Sequence, residues 1–268
     1  MGSGVARTLP GQNDGAMSSP RTPSPPAHVL DNPVFHALRG PQHHLGRSTS
    51  RAARFDPAIT PFGGLAEVPT PGAWDDLAAI VGPGGLVSLA GDPPPPPPGW
   101  TVQRRIGGIQ MVGHGVASML GDEGLGDRTA DLPELHPLGA DDVPDMLALV
   151  ALAQPGPFLS RTVECGGYLG VRHHGRLVAM AGERLRPPGH AEISAVATHP
   201  DHRRRGLARR LVLAVADGIL RRGELPVLHA SADNTGAIAL YGSIGFATRR
   251  TLTFLVLERD GPGGDASA

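Results

Sequence analysis

Val196-Ala197-Thr198-His199-Pro200-Asp201-His202-Arg203-Arg204-Arg205-Gly206-Leu207-Ala208 runs from an apolar, partly β-branched segment through a proline turn into a basic, glycine-bearing one. Arg204 to Arg222 reads as a helix, with Leu207, Leu211, Val212, Val215, Ile219 and Leu220 at helical spacing as its buried stripe. The reading is strand, loop, helix N-terminus. The first-turn N–H groups of a helix have no internal partner and the helix dipole is positive there, so the place attracts anions. Gly206 and Ala208 are small where a phosphate would approach the backbone, and the arginines add charge around it. The lettering is neither a Walker loop nor a dinucleotide fingerprint.

A second segment, Asn234-Thr235-Gly236-Ala237-Ile238-Ala239-Leu240-Tyr241-Gly242-Ser243-Ile244-Gly245-Phe246, places Asn seven residues before Tyr and then Gly-Phe. The two segments together resemble the GNAT acetyltransferases. That family binds acetyl-CoA with an Arg/Gln-x-x-Gly-x-Gly/Ala turn, which Arg203 to Ala208 fit, and carries an Asn…Tyr…Gly-Phe signature further on. The order and separation are also those of the family. The resemblance covers roughly Leu135 to Arg259.

The resemblance implies a cofactor-binding set. The backbone of Val196, Ala197 and Thr198 would pair with the pantetheine arm. Arg203, Arg204, Arg205, Gly206, Leu207, Ala208 and Arg209 would surround the pyrophosphate. Asn234 would cap its helix and contact the cofactor. Tyr241 matches the family's general acid, which protonates the departing CoA thiolate. Two residues match positions of the general base. Glu192 lies 14 residues before Gly206, as in the histone-acetylating branch, and His229 lies five before Asn234, where ribosomal-protein acetyltransferases carry a glutamate. Each also has a plainer reading, Glu192 as a solvated carboxylate on a strand edge and His229 as a strand histidine with satisfied hydrogen bonds. Glu164 and Glu183 offer only residue type. The implied function is an acetyl-CoA-dependent N-acetyltransferase acting on a primary amine. The alternative is a CoA-binding module of the same fold that senses or scaffolds without turnover.

Composition bounds the rest. The chain has 268 residues and a formal net charge of -1. With aromatic content of 4%, neither bulk charge nor stacking platforms point to nucleic acid. All 24 basic residues counted as Lys+Arg are arginine. The one cysteine, Cys165, allows neither an internal disulfide nor a cysteine zinc site, and the family's direct transfer needs no acyl-enzyme. His173-His174 sits at a hairpin tip, and a metal there would need further ligands, so no metal is expected. No apolar run approaches the roughly 20 residues of a membrane span, and no apolar signal core opens the chain. A cytoplasmic protein is the expectation.

The fold class expected is α/β (α+β): a GNAT-like mixed, mainly antiparallel sheet flanked by helices, preceded by a smaller α/β domain. Residues 1–27, rich in Gly, Ser, Pro and Thr, read as a disordered tail, as do 261–268. Residues 28–130 read as the small domain, a degenerate GNAT-like half, and 135–260 as the GNAT domain. In the first, Leu30 to Leu38 suggests a short helix capped by Asp31 or Asn32. Pro71 to Val81 suggests a helix, and Leu86 to Ala90 and Val102 to Val112 suggest strands. Pro93 to Pro98 is a stiff six-proline run. From Leu135 the expected order is strand-helix-strand-strand-strand-helix-strand-helix-strand. The family's second helix has only Pro155 to Thr162 available, with Gly156 within it.

Overall fold

The stripe of Leu207, Leu211, Val212, Val215 and Ile219 is buried along helix α5 (Leu207–Arg221), which packs across strands β8 (Arg176–Glu183) and β9 (His190–Thr198). A computed structural model describes residues 1–2, 28–66, 70–121 and 133–261. The expected tails and the junction between the expected domains fall for the most part outside these residues.

The order from β6 (His136–Leu138) onward is the one expected: α4 (Val143–Ala153), β7 (Tyr168–His173), β8, β9, α5, β10 (Leu225–Ser231), α6 (Thr235–Ser243) and β11 (Ala247–Arg259). The earlier part supplies α1 (Pro33–Leu38), β1 (Gly46–Ser48), β2 (Ala52–Phe55), β3 (Phe62–Leu65), α2 (Pro71–Val81), β4 (Leu86–Gly91), β5 (Trp100–Val112) and α3 (Val116–Leu120). All eleven strands join in one sheet, ordered β1-β2-β3-β4-β11-β5-β10-β9-β8-β7-β6. Only β3–β4 and β9–β10 pair parallel; the other neighbours are antiparallel. The mixed, mainly antiparallel sheet is therefore present, and it runs through both halves of the chain. β5 lies between β10 and β11 and pairs with β11 from Trp100↔Arg259 to Val112↔Ala247.

Local expectations are met with three corrections. Residues 30–38 form a short 3-10 turn (Val29–Asp31) and then α1, rather than one capped helix. Asn32 makes no side-chain cap; its amide donates to the Leu65 carbonyl instead, tying α1 to β3. α5 begins at Leu207 and not at Arg204, because Arg204 (φ 60°) and Gly206 (φ 76°) are left-handed and cannot continue a helix. Residues 155–161 hold no helix; only a 3-10 turn follows at Thr162–Cys165. Gly156 and the prolines account for that.

One face of the sheet is covered by α3, α5 and α6 over a core that includes Ile193, Leu211, Leu228 and Phe246. On the other face α4 packs with Met180, Ala195 and Ala197, and α1 packs with Phe55, Phe62 and Leu185. Ala191 and Ile193 belong to the first core and Ala195 and Ala197 to the second, so β9 changes its facing between them. The cause is a bulge at Ala195, whose φ is 52°, where pairing with β8 shifts register.

Candidate active site

β9 and β10 pair in parallel only from Leu225↔His190 to Leu228↔Ile193. Beyond that, among the described residues, the two strands share no register, while β9 stays paired to β8 through Ala197 and Thr198. The bulge turns β9 away, and the edges of Val196, Ala197 and Thr198 toward β10 are left open. The Thr198 hydroxyl is buried there without a hydrogen-bond partner. Its carbonyl accepts from Arg203 Nε at 3.4 Å. An orphaned hydroxyl beside an unpaired strand edge needs a ligand to satisfy it.

The strand leads through the Pro200–His202 turn to Gly206 and α5. The first helical bond runs from Arg210 N–H to the Gly206 carbonyl, which leaves the preceding amides free to point outward. Space above Gly206 is open, and Arg203, Arg204, Arg205 and Arg209 are exposed around it. Leu207 is buried and anchors the turn, with Ala208 half-buried. The residues present fit a pyrophosphate followed by an extended pantetheine arm. Asn234 accepts from Ala237 N–H at 3.2 Å and caps α6. Tyr241, on α6, is buried with its ring 6.2 Å from Phe246. Burial pushes its phenol up to about 12, so it stays a proton donor at neutral pH.

The two base candidates prove to be partners. Glu192 is 1% exposed, on the face of β9 away from α5. It is no solvated edge carboxylate. Arg184 donates to both its oxygens, at 3.0 and 2.7 Å, and Leu185 N–H adds a third contact at 3.3 Å. His229 Nδ1 donates to Glu192 Oε1 at 2.7 Å. Burial alone would raise the Glu192 carboxyl, but Arg184 and His229 outweigh it and hold it well below the usual carboxylate range. His229 stands one residue past the last parallel pair, at the mouth of the gap. Its Nε2 accepts from the Gln110 amide at 3.0 Å. The same amide donates to the Leu30 carbonyl at 2.8 Å, and Gln110 Oε1 accepts from Arg249 at 2.7 Å. These partners set the imidazole as the Nδ1–H tautomer with its lone pair on Nε2.

Arg184, Gln110 and Arg249 carry no motif that would have marked them. Gln110 lies 119 residues from His229 in sequence, and only the insertion of β5 beside β10 joins them. The remaining acidic candidates sit elsewhere: Glu164 pairs with Arg161 and Glu183 with Arg222. Cys165 is buried and its thiol is pushed up to about 12 by that burial, which makes it a poor nucleophile. His173 and His174 meet edge to face at the β7–β8 hairpin tip with ring centroids 4.2 Å apart.

A parallel pair that parts at a bulge, beside a glycine-led helix N-terminus ringed by exposed arginines, is the arrangement expected of a splayed-sheet acetyltransferase. Comparison with known proteins agrees. The FR47-like protein family matches residues 168–255. The N-alpha-acetyltransferase RimI of Mycobacterium tuberculosis is 39% identical over 82 residues, 30% of this chain and 51% of that protein. The chain thus spans about half the length of this curated relative. A structure described as an acetyltransferase from the GNAT family of Novosphingobium aromaticivorans is 42% identical, with a TM-score of 0.76 over 87% of this chain and 100% of that one. A GCN5-related N-acetyltransferase from Kribbella flavida, 17% identical with a TM-score of 0.53 over 86% of this chain and 95% of that one, shares the fold. The chain belongs to the GNAT family of acetyltransferases.

Proposed function

We propose that this protein transfers an acetyl group from acetyl-CoA directly to a primary amine, with His229 as general base, Glu192 as its orienting partner and Tyr241 as general acid. The observation that carries the assignment of the base is the 2.7 Å contact between Glu192 and His229, with Glu192 itself clamped by Arg184. A carboxylate so strongly stabilised is a weak proton acceptor. An imidazole held in one tautomer, with the lone pair on Nε2, is a better one.

Bound acetyl-CoA supplies the thioester carbonyl that the neutral amine attacks. His229 Nε2 takes the proton that the ammonium must lose first, directly or through water. Backbone amides of β9 around Val196 and Ala197 stabilise the charge that develops on the carbonyl oxygen. Tyr241 gives its proton to the departing sulfur. Thr198 and the first turn of α5 hold the pantetheine and pyrophosphate. Among the described residues no helix is long and apolar enough to cross a membrane.

One observation favours a CoA-binding role without turnover: the Gln110 amide occupies His229 Nε2. Thioester cleavage at saturating acetyl-CoA, screened over amines, peptides and amino acids, separates the two readings. Release of CoA that depends on an acceptor supports the transferase. Tight CoA binding with no transfer to any acceptor supports the sensor.

A further inference from the structure

A cavity of about 220 Å³ opens on the face that carries His229, between Gly63-Gly64 of β3, the end of β4 and Pro93-Pro94. A narrow crevice continues from it. The two share Asp31, Ala90 and Arg250, and the crevice ends on Gln110 and His229. The cavity walls are mixed: Asn32 and Asp92 line it as well as Leu65, Ala66 and Leu89. Neither space belongs to the cofactor cradle described above.

We propose that this cavity and crevice form the acetyl-acceptor site, and that the acceptor is a free α-amino acid. The amino acid would place its carboxylate on Arg250 and its amine toward His229. The inference rests on the transferase reading above and names the substrate class of that site.

Arg250 stands where cavity and crevice meet. Its guanidinium donates to Asp31 Oδ1 at 3.0 Å and to Asp92. The two carboxylates are not equivalent. Asp31 also holds Arg249 at 2.7 Å and the His28 N–H at 2.9 Å, so it is fixed from several sides. The Asp92 side chain is 74% exposed and makes no other side-chain bond among the described residues. An ion pair so open to water contributes little. A ligand carboxylate can therefore replace Asp92 on Arg250 Nη2 at small cost, while Nη1 stays on Asp31 and Nε on the Thr251 carbonyl at 3.4 Å. In an α-amino acid one carbon separates carboxylate from amine. Anchoring the first at the junction directs the second into the crevice, beside the fixed charge of Asp31. The crevice is too narrow for a water molecule, so the amine reaches Nε2 by displacing the Gln110 amide. The side chain is left in the cavity.

The test uses the full chain with acetyl-CoA and four acceptor sets: the standard free L-amino acids, their amides, the corresponding decarboxylated amines and tripeptides beginning with the same residues. The best free amino acid should exceed its amide, amine and tripeptide at least tenfold in kcat/KM. Arg250→Gln should erase that preference by raising the KM for the amino acid at least tenfold, with the KM for acetyl-CoA unchanged. Asp92→Asn, a change at an exposed residue, should lower the KM for the amino acid, because it removes the competing carboxylate. Equal use of amide or amine, a preference that survives Arg250→Gln, or an unchanged KM in Asp92→Asn overturns the proposal. A tripeptide preferred over its free amino acid assigns the site to peptide N-termini instead. Calorimetric titration of the same amino acids into the CoA-saturated protein separates the two levels. Arg250-dependent binding without transfer upholds the pocket and sinks the transferase reading. Transfer to other amines with no amino-acid binding does the reverse.

Discussion

Glu192 Oε1 and His229 Nδ1 lie 2.7 Å apart across two parallel strands, at the point where those strands separate. On the proposed reading the pair divides the work of one base between two residues, and that division is measurable. His229→Gln should lower kcat by a factor of about 100 to 10,000, the usual range for an acid–base group. Acetyl-CoA binding should be retained. Unchanged turnover would remove His229 from the mechanism.

Glu192→Gln should act first on stability, since it leaves Arg184 buried without its countercharge. Breaking a buried pair from one side costs about 3–5 kcal/mol. The sign with pH follows from the lowered carboxyl. A group whose folded pKa is depressed contributes fully above its unfolded value of 4.5 and loses that contribution as pH falls through the lower, folded one. Wild-type thermal stability should therefore decline from about pH 5 downward. Glu192→Gln should start lower and lose less over the same window. Parallel melting curves for the two proteins would count against the buried pair.

Gly206→Glu adds bulk and like charge where a pyrophosphate would sit. The added atoms meet open space in the protein itself, so packing is not the cause of any loss in affinity. The left-handed φ of 76° adds a backbone penalty of about 1–2 kcal/mol. Acetyl-CoA affinity should drop at least tenfold, which is about 1.4 kcal/mol. Calorimetry on folded mutant and parent decides, and equal affinity would sink the assignment of the cradle.

Tyr241→Phe keeps the ring against Phe246 and removes the proton donor. Acetyl-CoA binding should stay near parent while turnover falls by about 100- to 10,000-fold. The phenol is held up to about 12, so the parent should show no loss of its acid across the neutral range. Full turnover in the variant would exclude Tyr241 as the acid.

Tyr168 and Gly182 are register partners on β7 and β8, and a Cβ at Gly182 would come within 2.2 Å of the Tyr168 ring. The ring is buried and has no room to retreat. Gly182→Ala should destabilise the fold by about 1–3 kcal/mol through overpacking. A denaturant midpoint equal to that of the parent would contradict this packing.

Residues 135–260 alone should not fold. β5, from the first half, separates β10 from β11 and pairs with both. Without it those strands present unpaired edges at the centre of the sheet. A dispersed amide NMR spectrum and acetyl-CoA binding by the fragment would overturn this expectation.

Much of the second half was legible because its signals are local. The stripe from Leu207 to Ile219 and the cap at Asn234 each follow from spacing or residue type within a few residues. They place the two helices without knowledge of what lies opposite. The helix start at Leu207 was misjudged because Arg204 suits a helix by residue type, and only its positive φ shows that it is in the turn.

The sequence by itself determined where the buried stripe of α5 lies, that Asn234 caps α6, and the order of strands and helices from residue 135 onward. Tertiary structure alone decided that Glu192 and His229 are hydrogen-bonded to each other, that Arg184 and Gln110 hold them, and that β5 runs between β10 and β11. It alone also set Arg250 at the junction of a cavity and a crevice. The physical reason is range. Periodicity and capping are read within one turn of chain. A buried charge, by contrast, is stabilised by whatever donor the fold brings to it, and that donor leaves no mark at its own position in the chain.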